Sequence, residues 1–271
     1  LSSSDKAVPL PEVTRVEDRW ILSRLEHAKE DAQKRIDTFE FSQLSLGLYD
    51  FVFSDLCDWY LELVKPRLYS EDAEVKRELA GVVQHVLRET LALAHPVIPF
   101  VTEALWAATP GADGLLASAA WPTVHSDRFD ADAEKQIAAV IQAITSLRGW
   151  REQINLAPSK RVSARLVGTR YENSSQLVAN LGRIDWVDEV PNLAATLSIP
   201  GGTLEISADG AIDLEAAQRR VDERRKELES EIKRAEGKLA NESFTAKAPP
   251  ELVQKERDKL EQFRAELAEL G

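Results

Sequence analysis

The sequence predicts a mainly α-helical fold in three parts: a helical bundle, a small α/β module and an antiparallel coiled-coil hairpin. Apolar residues recur at helical spacing over the first half of the chain, short β-prone runs follow, and a heptad pattern occupies the end. These changes of pattern predict three domains, which comprise residues 1–157, 158–210 and 211–271.

The bundle is predicted from amphipathic stretches. One apolar run contains Trp20, Ile21 and Leu25, and the next extends from Leu48 to Leu63 at steps of three and four. Such stripes are typical of helices that bury one face against their neighbours. We therefore expect the large aromatic residues of these runs to lie in the core, namely Trp20, Trp59, Tyr60 and Trp106.

Short signals mark the ends of the bundle helices. Ser70 precedes three acidic residues, which is typical of an N-cap whose first turn suits the helix dipole. Pro96 and Pro99 predict the end of one helix and the start of another. The segment from Thr109 to Gly114 is predicted as a loop, and Asp130 as the start of a further helix.

The middle of the chain is predicted as a small α/β module. Its β-prone runs are VSARLV, IDWVDEV, AATLSI and TLEI, with one helix around Ser174–Leu181. Gly201 and Gly202 are predicted at a hairpin turn, where a positive φ is tolerated. These glycines are too isolated and wrongly placed for a phosphate-binding loop.

The last part is predicted as two antiparallel helices. The first series of heptad core positions runs from Leu214 to Leu239 and includes Arg225, and the second runs from Val253 to Leu270 and includes Glu256. The segment KLANESFTAKAPP lies between them and predicts the hairpin tip, with Pro249 or Pro250 in the first turn of the returning helix. At 1.5 Å per residue the first helix would extend roughly 40 Å.

Composition limits the classes of function. The chain has 46 carboxylates against 34 Lys and Arg, a net charge of −12, so a global electrostatic footprint for nucleic acid is missing. From residue 214 onward, 13 basic and 14 acidic residues leave the predicted hairpin near neutral. One cysteine, no secretory signal and no long apolar stretch predict a cytoplasmic protein without membrane attachment. The absence of methionine predicts part of a longer translation product, or a processed one.

No catalytic or metal site is predicted. Cys57 lies in an aromatic helical run, where a core thiol is the better interpretation than a nucleophile. The acidic residues of that run are interpreted as a solvated face. The histidines lack the spacing of metal ligands and are expected at surface or packing positions: His27, His85, His95 and His125.

Five segments together resemble the C-terminal end of bacterial valyl-tRNA synthetases. They are DRWILSRL, YDFVFSDLCDWYLELVKP, HPVIPFVTEALW, the PSK of LAPSK, and KLANESFTAKAPPELVQKERDKL. The first and third would also fit the isoleucyl and leucyl enzymes, whereas the arm with NESFTAKAP at its tip is similar to the valyl enzyme. The resemblance implies a bundle of the class I synthetase anticodon-binding type, a junction module and a coiled-coil arm that leans on the outer corner of tRNA.

The departures from that family have their own implications. The HIGH and KMSKS signatures are absent, so ATP and Mg²⁺ would belong to a catalytic domain missing from this chain, which itself would need no cofactor. The NKxWNAxRF-like motif that opens the family's bundle is also absent, so part of the anticodon-reading surface would be missing. Phe53 replaces a tryptophan of the family and is interpreted as a core variation.

The resemblance implies basic contacts to tRNA phosphates along the arm and near the end of the bundle. On a solvated helix the arm cations would instead pair with Glu223, Glu227, Glu229 and Glu231. Phe244 either stacks on a loop base or closes the hairpin. The candidate tRNA-binding residues are Arg148, Arg151, Lys160, Arg161, Arg219, Arg220, Arg224, Arg225, Lys233, Arg234, Lys238, Asn241, Phe244 and Lys247.

The sequence therefore predicts a non-catalytic tRNA-binding portion of a valyl-tRNA synthetase, monomeric, with tRNA(Val) and the remainder of the synthetase as partners. The alternative is a free-standing bundle and coiled-coil protein derived from this region, acting in protein interaction or RNA binding. An independent hydrolase or transferase has no supporting motif.

Overall fold

A computed structural model of the chain describes four ranges, residues 8–168, 171–208, 214–241 and 250–269. At residues 214–218, 220–221, 250–251 and 268–269 it describes the backbone without the side chains. The predicted hairpin tip, including Phe244, Lys247 and Pro249, therefore lies outside the described residues.

The chain divides into two compact units. The first comprises the described residues up to Thr145 together with Leu166–Ile184 and Ser198–Thr203. The second comprises Ser146–Arg165, Asp185–Leu197 and the described residues from Leu204 onward. No helix within the described ranges combines the length and apolar character needed to cross a bilayer.

The first half of the chain is helical, which confirms the predicted mainly α fold. Short 3₁₀ turns occur at Leu116–Ser118 and Ser126–Arg128. The helices are α1 (Val16–Asp37), α2 (Phe41–Asp50), a π-helical segment (Phe51–Tyr60), α3 (Leu61–Leu68), α4 (Ala73–Ala94), α5 (Pro99–Ala107) and α6 (Ala131–Gln153).

The core of the bundle forms around α1, which packs against α2, the π segment and α4. Ile21 and Leu25 of α1 and Val82 of α4 are completely buried. The predicted aromatic core is confirmed at Trp20, Tyr60 and Trp106, while Trp59 is half-buried. The 3.6-residue stripe therefore identified the buried face of α1.

Two predictions about the π segment are wrong. Phe53 is 50% exposed and stacks on Tyr49 with 4.2 Å between the ring centroids, and Cys57 is exposed. The amide of Leu61 bonds the carbonyl of Leu56, five residues back. A π turn holds more residues than an α turn, so a face assigned at 3.6-residue spacing loses its register here.

The end of α4 and the start of α5 agree with the positions predicted from Pro96 and Pro99. The residue predicted to cap the N-terminus of α4 was wrong. The carboxylate of Asp72, rather than the hydroxyl of Ser70, caps α4 by accepting from the amides of Glu74 and Val75. Ser70 Oγ accepts instead from the Asp72 amide at 3.1 Å. Helix α5 begins at Pro99, as predicted.

The α/β module contains the four predicted strands: β1 (Val162–Gly168), β2 (Ile184–Trp186), β3 (Leu193–Ile199) and β4 (Gly202–Ser207). They form one sheet with the order β2-β1-β4-β3. Gly201 has φ 77° in the β3–β4 turn. Gly202 is the first residue of β4 rather than a turn residue, and a Cβ there would lie 2.3 Å from the Val167 carbonyl oxygen. The predicted helix of the module is α7 (Ser175–Gly182), between β1 and β2.

The end of the chain forms the predicted pair of long helices, α8 (Leu214–Leu239) and α9 (Pro250–Glu269), which pack against each other. Pro250 is the first residue of α9, as one of the two predicted positions. Leu228 and Ala235 are buried at heptad spacing. Ion pairs between residues 224 and 266 and between 238 and 256 join the helices in antiparallel register.

Candidate nucleic-acid interface

The arm formed by α8 and α9 has an apolar seam and a charged surface. Leu228 of α8 is buried, and Ile232, Leu239, Leu260 and Phe263 of the two helices are half-buried. Arg225, predicted at a seam position, is exposed. The cations of the arm whose side chains are described are exposed, so they can contact either carboxylates or a polyanion.

Three of the predicted tRNA-binding cations of the arm, Arg224, Arg234 and Lys238, are paired with carboxylates. Arg224 contacts Glu266 at 2.7 Å and Glu227 at 3.2 Å, and these hydrogen bonds raise the pKa of the guanidinium. Arg234 Nη1 lies 3.6 Å from a Glu231 oxygen. The alternative of ion pairing along the solvated helix thus applies to part of the set. Exposed pairs of this kind stabilise a helix by only a few tenths of a kcal/mol, about 0.3–0.5.

Lys238 pairs across the arm rather than along its own helix. Its Nζ lies 2.8 Å from a Glu256 oxygen, and the hydrogen bond lowers the pKa of the Glu256 carboxyl group. Glu256 occupies a predicted core position of α9, and its side chain is 14% exposed. The lysine therefore neutralises a carboxylate in the seam.

Two predicted cations of α8 have no carboxylate within ion-pair distance among the described residues. Arg219 and Lys233 are exposed and lie fourteen positions apart. Lys226 lies midway between them and is likewise exposed, with no carboxylate within ion-pair distance among the described residues. Because heptad spacing returns to the same side of a helix, the three form one row, here called the basic stripe. Successive members lie about 10 Å apart along the helix axis.

The remaining candidates on the arm are described in part. Asn241 is exposed at the end of α8. The side chain of Arg220, like the whole of Phe244 and Lys247, lies outside the described residues. Their contacts to tRNA stay predictions.

The candidates at the end of the bundle occupy two kinds of position. Arg148 and Lys160 are exposed, whereas Arg151 is only 5% exposed and donates from Nη1 to the Lys160 carbonyl oxygen at 2.8 Å. Burial lowers the pKa of Arg151. Arg151 therefore holds the turn that presents Lys160, and its predicted contact with tRNA stays untested.

Arg161 is engaged by one carboxylate through two nitrogens. Its Nε and Nη2 lie 2.8 Å and 2.7 Å from Asp185 Oδ1, and this hydrogen bonding raises the pKa of Arg161. The contact ties the start of β1 to β2. Half of the side chain is still exposed, so a contact with phosphate stays a prediction.

Lys226 and several cations of the returning helix are further exposed cations that were not predicted from the sequence. Lys255, Arg257 and Lys259 of α9 are exposed and have no ion pair among the residues described. The signal that could have identified them is the heptad register, which puts these cations outside the core positions of α9.

The histidines occupy packing and surface positions. His95 Nδ1 lies 2.8 Å from Thr102 Oγ1, His27 Nε2 lies 3.0 Å from Glu134, and His85 is half-buried beside Arg128. Within the described ranges, no group of three or more His, Cys, Asp or Glu side chains is placed to hold a metal ion.

Two protein families match this chain. Residues 18–166 match the family described as the anticodon-binding domain of tRNA ligase. Residues 213–271 match the family described as the valyl tRNA synthetase tRNA binding arm. The first match covers the bundle and β1 up to Leu166, and the second covers α8 and α9.

Curated relatives match nearly the whole chain. The valine–tRNA ligase of Nocardia farcinica is 38% identical over 94% of this chain and 29% of its own length. That of Thermotoga maritima is 33% identical over 98% of this chain and 31% of its own length. That of Bacillus subtilis is 30% identical over 92% of this chain and 30% of its own length. The chain thus spans less than a third of the length of these relatives.

Proposed function

Because the chain belongs to the anticodon-binding domain family of tRNA ligases and ends in the tRNA-binding arm of valyl-tRNA synthetases, we propose that it binds tRNA(Val) to support its valylation. The main support for this proposal is that two families of tRNA-binding domains match successive parts of one chain. The bundle approaches the anticodon arm, and the arm of α8 and α9 braces the elbow. The matches confirm the resemblance found in the sequence and do not favour a free-standing protein.

The chemistry of aminoacylation lies elsewhere in this proposal. The chain itself takes no cofactor, and ATP and Mg²⁺ belong to the catalytic part of the synthetase. The protein works as a monomer in the cytoplasm, together with the remainder of the synthetase. The absence of HIGH and KMSKS from the sequence supports this division of labour.

Electrostatics support a local rather than a global mode of RNA binding. The net charge of −12 repels a polyanion as a whole, so attraction must come from cations that are not neutralised by neighbouring carboxylates. The basic stripe meets this condition among the described residues of α8. The paired cations Arg224, Arg234 and Lys238 would have to give up a carboxylate to bind a phosphate. Their contacts would therefore add less binding free energy than contacts from unpaired cations.

The proposal is tested by filter binding of valine tRNA and of other tRNAs to the whole chain at two salt concentrations. We expect tighter binding of valine tRNA and a steep loss with salt. Three phosphate contacts alone predict a loss of about 20- to 40-fold between about 50 and 200 mM salt. Equal affinity for every tRNA would limit the chain to non-specific binding, and affinity independent of salt would contradict the electrostatic account.

The basic stripe is tested by replacing Arg219, Lys226 and Lys233 together with Ala. We expect weaker tRNA binding and a salt dependence that is less steep by about one unit for each cation that no longer binds a phosphate. The control removes the same charge from three exposed bundle cations without ion pairs among the residues described, Lys76, Arg77 and Lys135. If the control weakens binding as much, the stripe contributes no more to tRNA binding than other exposed cations do.

A further inference from the structure

Helix α5 carries an apolar surface that nothing within the described residues covers. Phe100 is 90% exposed, Val101 56%, Leu105 50%, Ile98 48% and Val97 39%. These five residues are here called the α5 face. Val101 and Leu105 share one side of the helix through their four-residue spacing, Phe100 lies about 100° around the helix from Val101, and Val97 and Ile98 directly precede the helix. Five exposed apolar side chains within nine residues, rather than apolar residues scattered singly, indicate an interaction site.

The α5 face is held in place by contacts on the other side of the helix. The Glu103 carboxylate accepts from the amides of Leu116 and Ala117 at 2.8 Å and 3.1 Å. Trp106, packed with Leu91 and Leu116, anchors the end of the helix in a buried cluster. The exposure of Phe100 therefore belongs to an ordered, fixed helix, which makes the surface ready for docking.

The charge around the α5 face indicates the chemistry of its partner. The sequence contains no Lys or Arg from Glu89 to Asp127, and Glu103, the one ionisable residue of α5, is engaged with backbone amides. The Arg88 guanidinium lies 4.6 Å from the ring centroid of the buried Trp106 and donates to the Pro110 carbonyl oxygen, so this cation is engaged on the packed side of α5. A helix face formed by apolar side chains does not attract the phosphates of RNA. An apolar protein surface fits it, because the interaction then requires no desolvation of charge.

We propose that the α5 face docks an apolar protein surface in the remainder of the synthetase, and so joins this tRNA-binding chain to that part of the enzyme. The inference rests on the proposed function. More than two thirds of the length of the relatives from Nocardia farcinica, Thermotoga maritima and Bacillus subtilis lies outside their match to this chain. A partner within that length would keep the contact inside one protein.

The test compares the free chain with a chimera in which this chain replaces the matched region of the Nocardia farcinica valine–tRNA ligase. Phe100→Cys is introduced into both proteins in a Cys57→Ser background, and the alkylation of that peptide by iodoacetamide is followed by mass spectrometry. Tyr69→Cys is the matched control, because Tyr69 is 77% exposed after α3. We expect the thiol at position 100 to react at least about tenfold more slowly in the chimera, and the thiol at position 69 to be unaffected.

Three results would overturn the proposal. The thiol at position 100 could react equally in both proteins, could become protected in the free chain as its own concentration rises, or could be protected in the free chain by added tRNA. The last two results would assign the face to a second copy or to RNA. Since labelling of the chimera needs no tRNA, failure of the tRNA-binding tests would not be confused with failure of this one.

A stability measurement provides a second readout. Phe100→Asp should lower the melting temperature of the chimera and leave that of the free chain unchanged, because the side chain is exposed only in the latter. Equal melting temperatures of the parent and variant chimeras would contradict the docking.

Discussion

Lys29 is completely buried in the bundle and balances two glutamates. Its Nζ lies 2.9 Å from Glu26, which is also completely buried, and 2.8 Å from Glu89. It also donates to the Thr123 carbonyl oxygen at 3.3 Å, and Glu26 accepts from the His125 amide at 2.8 Å. The cluster thus fastens the loop that precedes α6 to α1.

Replacing Lys29 with Met should lower the free energy of unfolding by about 3–5 kcal/mol, because Glu26 would keep a buried charge without its main partner. Chemical denaturation of the whole chain measures the effect. The double replacement Glu26→Gln and Lys29→Met removes both charges and should recover part of the loss. A single variant as stable as the parent would show that the cluster is not a stabilising feature.

His85 is the second residue with a marked electrostatic environment. Burial lowers its pKa from 6.5 to about 4, the carboxylate of Glu89 opposes the shift, and the cations Arg128 and Lys29 add to it. Arg128 Nη1 lies 3.0 Å from His85 Nε2, an arrangement that suits a neutral imidazole accepting the bond.

The lowered pKa makes stability depend on pH. The unfolded chain binds a proton at His85 near pH 6.5 and the folded chain only near pH 4, so this contribution is complete above pH 6.5 and is lost progressively toward pH 4. His85→Gln keeps an acceptor for Arg128 and cannot titrate. We expect the parent to lose more stability than this variant between pH 6.5 and 4, measured by denaturation at several pH values. Parallel pH profiles would contradict the assignment.

The stability of the arm formed by α8 and α9 depends on a narrow apolar seam between the two helices. Leu228 and Ala235 are the buried side chains described on α8, and Leu260 of α9 is half-buried. The outer faces are charged and joined by exposed pairs that stabilise little. The two helices therefore depend on packing against each other, since isolated helices of this length are marginal in water.

Replacing Leu228 and Leu260 with Asp should separate the arm, because two charges would enter an apolar seam at a cost of several kcal/mol, about 3–5 in total. Circular dichroism should show a loss of helix equivalent to the arm, while the cooperative unfolding of the bundle is retained. Ser230→Asp, on the exposed side of α8, serves as the control. Full helicity in the double variant would mean that the seam does not hold the helices.

The whole molecule combines a large acidic charge with tRNA-recognition elements and no encoded nucleotide-binding signature. We expect that the isolated chain neither activates valine nor charges tRNA, because the HIGH and KMSKS residues are absent from the sequence. Valine-dependent exchange between ATP and pyrophosphate measures activation, with the intact Nocardia farcinica enzyme as the positive control. Exchange above a blank preparation would overturn the proposed division of labour.

Most of the fold could be predicted because it follows from local rules. The stripe of α1, the prolines at the start of α5 and α9, and the positive φ of Gly201 depend on residues within a few positions of one another. The family resemblance was equally readable, because its motifs are continuous segments. Local rules failed in the π segment, where the exposed Phe53 and Cys57 were expected in the core.

The candidate interface could be predicted only as a set of residue types. The sequence alone determined that cations line the arm and that no known catalytic motif is present. Tertiary structure decided which cations are neutralised, since the partner of Arg224 is 42 positions away in Glu266 and that of Arg161 is Asp185. It also decided that Lys29 is buried and that Phe100 is exposed. Ion pairing and burial depend on distances between segments far apart in the chain, and no periodicity within one segment encodes those distances.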